Sequence, residues 1–135
     1  MGAVISLQGL GSFLIYFVSA LVAQAVFVAL YIAVTPYHEP TLIRRGNVAA
    51  AISLGGAVLG FTLPLASAVI NSVSPVDMIV WSVVALVVQL AVFRLAELVL
   101  SGIGSHIEEG NVAAGLTMAT AALAIGIINA ASMSY

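Results

Sequence analysis

The chain has 135 residues, 63% of them hydrophobic and 6% charged, with a formal net charge of −2. At a mean hydropathy of +1.25 it has too few charges to coat a soluble globule, and this places it in a lipid bilayer. Three arginines and no lysine exclude a polybasic face for nucleic acid, and the lack of cysteine excludes disulfides, thiolate metal sites and cysteine chemistry.

A helix crossing about 30 Å of hydrocarbon needs roughly 20 apolar residues, and four such runs follow one another. Residues 1–9 read as an uncharged lead-in. The first span covers about 10–34, with Tyr16 and Tyr31 toward its two ends, where aromatic residues favour the membrane interfaces. No lysine or arginine precedes Arg44 and the run is too long for a cleaved signal peptide, so it reads as a retained span. Pro36 and Pro40 end it. The second span, about 47–73, opens on small residues, and Gly56 and Gly60 form the Gly-x-x-x-Gly spacing that lets two membrane helices approach closely. Pro64 removes one helical hydrogen bond and frees the Gly60 carbonyl, so a kink is expected there, with Thr62 or a neighbouring helix compensating. Residues 71–77 form the second break. The third span covers about 78–102 with Trp81 at its outer end, residues 102–106 break the chain again, and the fourth span covers about 111–133.

Gly46-Asn47-Val48-Ala49-Ala50 returns unaltered as Gly110-Asn111-Val112-Ala113-Ala114, and Ala20-Leu21-Val22-Ala23-Gln24 is matched by Ala85-Leu86-Val87-Val88-Gln89. The chain therefore reads as one all-α transmembrane domain over 1–135, built from two tandem two-helix repeats of about 10–73 and 77–133. Two-span units keep one orientation, which sets their pseudo-two-fold axis along the membrane normal. The bulkier first and third spans belong outside, and the second and fourth at the centre through their small residues. Because so narrow a second span also suits a second copy, a homo-oligomer is expected. Arg44 and Arg45 put their break in the cytoplasm and the termini on the periplasmic side.

Few side chains carry chemistry. Gln24 and Gln89 occupy matching mid-span positions and need hydrogen-bond partners there, either as glue between helices or along a polar path. Arg94 and Glu97, three residues apart on one helix, are placed to pair and to turn toward the bundle, or for Arg94 to snorkel outward. With Asn129 these residues make up the candidate polar path. Asn47 and Asn111 each follow a glycine and open a helix, where an Asn side chain caps a free N–H. The preceding pairs, Arg44-Arg45 and Glu108-Glu109, carry opposite signs at matching positions and read as a latch between repeats. His38 and Glu39 share a membrane side with His106, Glu108 and Glu109, but no ligand spacing recurs, so no metal site is expected. Neither a catalytic constellation nor a cofactor motif is present, and the chain does not read as an enzyme.

The stretch Gly56-Ala57-Val58-Leu59-Gly60 through Pro64 to Asn71, then Ala85 to Leu90, then Asn111-Val112-Ala113-Ala114-Gly115 through Thr120 to Asn129-Ala130-Ala131, resembles the YjfL-like family over nearly the whole chain. Its members are small four-span bacterial inner-membrane proteins of two tandem hairpin repeats and unknown function. The resemblance marks Asn47, Asn111, Gln89, Pro64 and Asn129 as characteristic and supplies no catalytic residue. Relatives encoded beside phage-shock-protein-A-like and glutathionylspermidine-synthase-like proteins imply a role in envelope maintenance and a cytoplasmic membrane-stress partner. Two functions follow as expectations: an oligomeric conduit for a small ion or proton along the polar path, or a structural membrane module that recruits such a partner.

Overall fold

The structure, a computed structural model, describes residues 2–133; Met1, Ser134 and Tyr135, which the single-domain reading includes, lie outside the described residues. Six helices follow in order: α1 (Gly2–Val34), α2 (Glu39–Arg44), α3 (Val48–Asn71), α4 (Pro75–Val99), α5 (Ile103–Glu108) and α6 (Val112–Ala131). Among the described residues there is no strand. Helices α1, α3, α4 and α6 are long and apolar enough to cross a membrane, so the chain is an all-α membrane protein. The two short helices occupy the breaks on the Arg44 side and were not legible as helices.

The lead-in is helical too. No proline interrupts α1, and isolated glycines such as Gly9 and Gly11 weaken a helix without ending it. Its 33 residues span about 50 Å at about 1.5 Å each, more than the hydrocarbon thickness, so α1 tilts or extends past the bilayer. Its side chains are mostly exposed, among them Leu7, Phe13, Phe17 and Leu21. In lipid such a surface is a solvated one. Tyr31, one turn from the end of α1, is buried beside Phe27 and edge-on to Phe93.

The centre of the bundle is the seam between α3 and α6, the most extensive helix contact in the molecule. Ala49 faces Gly115, Gly56 faces Ala119, Gly60 faces Ala122 and Gly126, and the Ser67 hydroxyl donates to the Ala130 carbonyl at 3.0 Å. Both series ascend together, so α3 and α6 run parallel. Contact is at backbone distance: a Cβ on Gly60 would lie 2.5 Å from the Ala122 carbonyl oxygen, and one on Gly115 2.5 Å from that of Ala49. Small residues are needed here because association within lipid depends on close packing rather than on exclusion of water. The expected central pairing of the second and fourth spans is thus observed.

Pro64 is buried in α3. The Gly60 carbonyl, which it leaves without a helical donor, packs against Gly126, where any side chain would overlap the oxygen. A Cα–H contact from Gly126 fits that approach. Thr62, the other expected helper, is committed elsewhere: its hydroxyl lies 2.7 Å from the Val58 carbonyl and 2.9 Å from Gln24 Oε1. Gly56 and Gly60 are therefore spent on α6, and the face that suggested a homo-oligomer is already covered.

Candidate functional site

The repeated Gly-Asn motif has a local explanation. Arg44 and Glu108 are the last residues of α2 and α5. Gly46 and Gly110 follow at φ of 85° and 88°, a conformation that glycine adopts without Cβ strain. The N–H groups of Gly46 and Asn47 return to the carbonyls of Ile43 and Leu42, each at 2.9 Å, and those of Gly110 and Asn111 to Ile107 and His106, again at 2.9 Å. This double closure is the Schellman arrangement. Each Asn then caps the next helix: Asn47 Oδ1 accepts from the Ala50 N–H at 2.9 Å and Asn111 Oδ1 from the Ala114 N–H at 3.3 Å. One glycine ends a short helix and one asparagine begins a long one, in both hairpins.

The latch between the hairpins is not ionic. Arg44, Arg45, Glu108 and Glu109 are all exposed, and among the described residues the one ion pair joins His106 to Glu109 at 3.8 Å. What ties the corners is Asn47, whose Nδ2 donates to the carbonyls of Ile107 at 3.0 Å and Glu108 at 3.1 Å while its Oδ1 caps α3. Exposed long side chains gain little by pairing in water. A neutral amide that meets the end of a helix gives the carbonyls of its last turn a further donor.

The five residues of the candidate path are dispersed. Gln24 Nε2 reaches the Val58 carbonyl at 3.5 Å and its Oε1 faces Thr62, whereas Gln89 is buried and its Nε2 donates to Ala122 at 3.2 Å. Val58 and Ala122 hold matching places in the two hairpins, so each glutamine bonds its own second span and the two do not face one another. Asn129 joins Gln89, with Nδ2 3.4 Å from Gln89 Oε1 and 3.4 Å from the Ala85 carbonyl. Arg94 and Glu97 do not pair. Arg94 is exposed and donates to the Val34 carbonyl at 3.3 Å, while Glu97 Oε2 accepts the Gly104 N–H at 2.9 Å. Each caps backbone that a break has left open.

A different cluster lies where α1 and α2 meet α3 and α4. Glu39 begins α2 but turns inward and is 1% exposed; this removes it from any grouping with His38, His106, Glu108 and Glu109. One carboxylate oxygen meets the Thr35 hydroxyl, which also lies 3.1 Å from the carbonyls of Ile32 and Tyr37. The other oxygen, Oε2, is buried without a hydrogen-bond partner, as are the Tyr37 hydroxyl and the Ser53 hydroxyl. The Tyr31 and Tyr37 hydroxyls both approach Ser53, and Glu39 and Glu97 stand near Tyr37. The Tyr37 ring meets Phe93 edge-on at 6.2 Å. Burial pushes the Glu39 carboxyl above its ordinary range, more strongly than the Thr35 hydroxyl and its own backbone N–H pull it down. Tyr37 is raised as well, by burial first and then by Tyr31 and Glu39. Sequence reasoning missed this cluster because a glutamate between two prolines reads as an exposed turn residue. The one available signal was Thr35 four residues before Glu39, beside two tyrosines.

Comparison with known proteins fits this architecture. The family model described as Domain of Unknown Function (DUF350) matches residues 5–133. Two curated relatives, each called UPF0719 inner membrane protein YjfL, come from Escherichia coli strain K12 and from Escherichia coli O157:H7. Each is 41% identical over 129 residues, covering 96% of this chain and 98% of the relative. No solved structure matches. A match over almost all of the four-span bundle, to a family model and to full-length relatives alike, leaves one conclusion: the chain belongs to the DUF350 family, the YjfL-like membrane proteins of unknown function.

Proposed function

We propose that this chain is a structural docking module of the bacterial inner membrane, which holds two charged corners at fixed separation for a cytoplasmic membrane-stress partner. The observation that carries this reading is the set of unspent charges at α2 and α5. Arg44, Arg45 and Glu108 are exposed and outside any ion pair among the described residues, although the corners that bear them are tied together by Asn47. Fixed charges of both signs on a rigid frame favour register and choice of partner more than raw affinity. The arginines also favour a cytoplasmic location for this face and periplasmic termini. Matched caps and matched glutamine bonds in the two hairpins, with α3 and α6 parallel, support a pseudo-two-fold relation along the membrane normal.

A photo-crosslinking side chain at exposed Ser105 tests the reading in cells. An adduct with one identified protein, lost in Arg44→Glu/Arg45→Glu while thermal unfolding is unchanged, is the expected result. An adduct indifferent to charge reversal at either corner would overturn it.

The conduit reading keeps one observation in its favour, the Gln89–Asn129 contact within the bundle. A homo-oligomeric conduit would have to assemble through a face other than that of Gly56 and Gly60, which α6 covers. It calls for ion flux that a Gln24→Leu/Gln89→Leu variant abolishes.

A further inference from the structure

The Glu39 cluster has a feature that packing does not explain. A buried polar atom left unpaired destabilises a fold, so native interiors rarely retain one. Here three such atoms, Glu39 Oε2, the Tyr37 hydroxyl and the Ser53 hydroxyl, belong to neighbouring side chains that are 1%, 7% and 1% exposed. Two of them are hydroxyls that approach one another at Ser53 outside good hydrogen-bond geometry, and the third is a carboxyl oxygen lacking a donor. Their chemistry is complementary.

We propose that Glu39, Tyr37 and Ser53 form a proton-binding site on the Arg44-side face, where one carboxyl proton is taken up from water and released to it between two hydrogen-bonding arrangements. With the proton bound, the Glu39 O–H donates to Thr35 Oγ1, and the Thr35 hydroxyl donates onward to the Ile32 or Tyr37 carbonyl, each 3.1 Å away. With the proton released, the Tyr37 and Ser53 side chains rotate to bring their hydroxyls onto Oε2, which has no partner in the structure, so the carboxylate gains donors as it gains charge. With the proton bound the Tyr37 hydroxyl keeps to Ser53 and only a neutral carboxyl oxygen is left without a donor, whereas the released state gives the charged oxygen donors; this separates a titrating site from an acid that burial keeps permanently neutral.

The groups near Glu39 are Thr35 and Tyr37 from the first break and Tyr31 from α1; around the two tyrosines stand Ser53 from α3 and, beside Tyr37, Glu97 from α4. No cation pairs with Glu39 among the described residues; the Arg94 guanidinium is engaged with the Val34 carbonyl. A proton suits the site better than a divalent ion, which would require more than one carboxylate to offset its charge. Burial, which holds the carboxyl above its ordinary range, acts in the same direction.

The state of Glu39 has a path to both corners. Glu39 opens α2, which carries Arg44. A Cβ on Gly104 of α5 would lie 3.6 Å from Tyr37 Cε1 and 3.2 Å from the Glu97 oxygen that holds the Gly104 N–H. Rotation of Tyr37 therefore bears on the start of α5. This inference stands apart from the docking proposal, because its test measures a carboxyl group and no partner.

The test uses full-length protein in lipid nanodiscs, with 13C-labelled glutamate followed by infrared spectroscopy across pH. A protonated-carboxyl band that is lost in Glu39→Gln, and that titrates above the ordinary carboxylate range, is expected. Ser53→Ala and Tyr37→Phe each remove a donor to the charged form and should move the titration upward by about one pH unit. Ser53→Ala keeps the test decisive if Glu39→Gln fails to fold. A band that does not titrate, an acid already ionised at about pH 5, or a titration that neither hydroxyl variant moves would overturn the proposal. Replacing choline with sodium at constant ionic strength should leave the curve in place. A sodium-dependent shift would also overturn it, in favour of a cation site.

Discussion

The α3–α6 seam can be tested by adding one methyl group. In Gly60→Ala the new Cβ would sit 2.5 Å from the Ala122 carbonyl oxygen and 3.0 Å from Gln89 Nε2, whereas a carbon–oxygen contact settles near about 3.3 Å. The helices must separate by most of an ångström, and a gap of about 0.5–1 Å already forfeits a quarter to a half of the van der Waals attraction of the atoms concerned. Overpacking of this kind costs about 1–3 kcal/mol. Displacing the bond from Gln89 to Ala122 adds about 1 kcal/mol, as a typical hydrogen bond between membrane helices does. Replacing a mid-helix glycine by alanine returns about 0.5–1 kcal/mol. The net expectation is a loss of about 1–3 kcal/mol. Gly55 provides the control: it lies in the same helix, and an added Cβ meets nothing within 4 Å. Gly55→Ala should be neutral or stabilising by up to about 1 kcal/mol. Steric trapping in bilayers measures both free energies. Equal stabilities for the two variants, or a more stable Gly60→Ala, would refute the seam as described.

Other perturbations separate interactions that look alike in the sequence. Asn47→Ala removes a cap and two bonds to α5, Asn111→Ala only a cap, so thermal unfolding should register about 2 kcal/mol for the first against about 1 kcal/mol for the second. Gln89→Leu leaves the Asn129 amide and the Ala122 carbonyl with one partner fewer and should cost about 1–2 kcal/mol in the same assay, more than Gln24→Leu, whose amide donates at 3.5 Å. Because burial raises Glu39 in the folded state, the folded chain retains its proton to a higher pH than the unfolded chain. Its contribution to stability is complete below the ordinary value of 4.5 and is lost as pH rises through the folded value. A pH series of melting temperatures should show this decline, and Glu39→Gln should flatten it. Reversing Arg44 and Arg45 should change stability by less than about 0.5 kcal/mol, since both are exposed and no latch is broken.

The spans were legible because about 20 apolar residues in succession have few alternatives. The central pairing was legible because Gly56, Gly60 and Gly126 leave room that only another helix fills. Capping by Asn47 and Asn111 was likewise readable from position alone. Where sequence and structure part, a cheaper local partner prevailed. Arg94 and Glu97 share a helix face, yet Val34 and Gly104 offer backbone groups that a break has left open, and each side chain goes to its own end. The opposite charges at Arg44-Arg45 and Glu108-Glu109 suggested an ionic latch, but water solvates exposed charges well enough that Asn47 decides the geometry. Helices of six residues show no periodicity to read, so α2 and α5 were announced only by the glycine that closes each. Glu39 escaped notice because burial is a property of the assembled corner and not of the turn sequence around it.

The most direct test of a close-packed bundle with its chemistry confined to one face is flux through liposomes that contain only the purified protein, measured with protons, potassium and chloride. The account predicts no flux above that of protein-free liposomes under any gradient. A flux that disappears in a Gln24→Leu/Gln89→Leu variant shown to be folded would contradict it and establish a path through the membrane core.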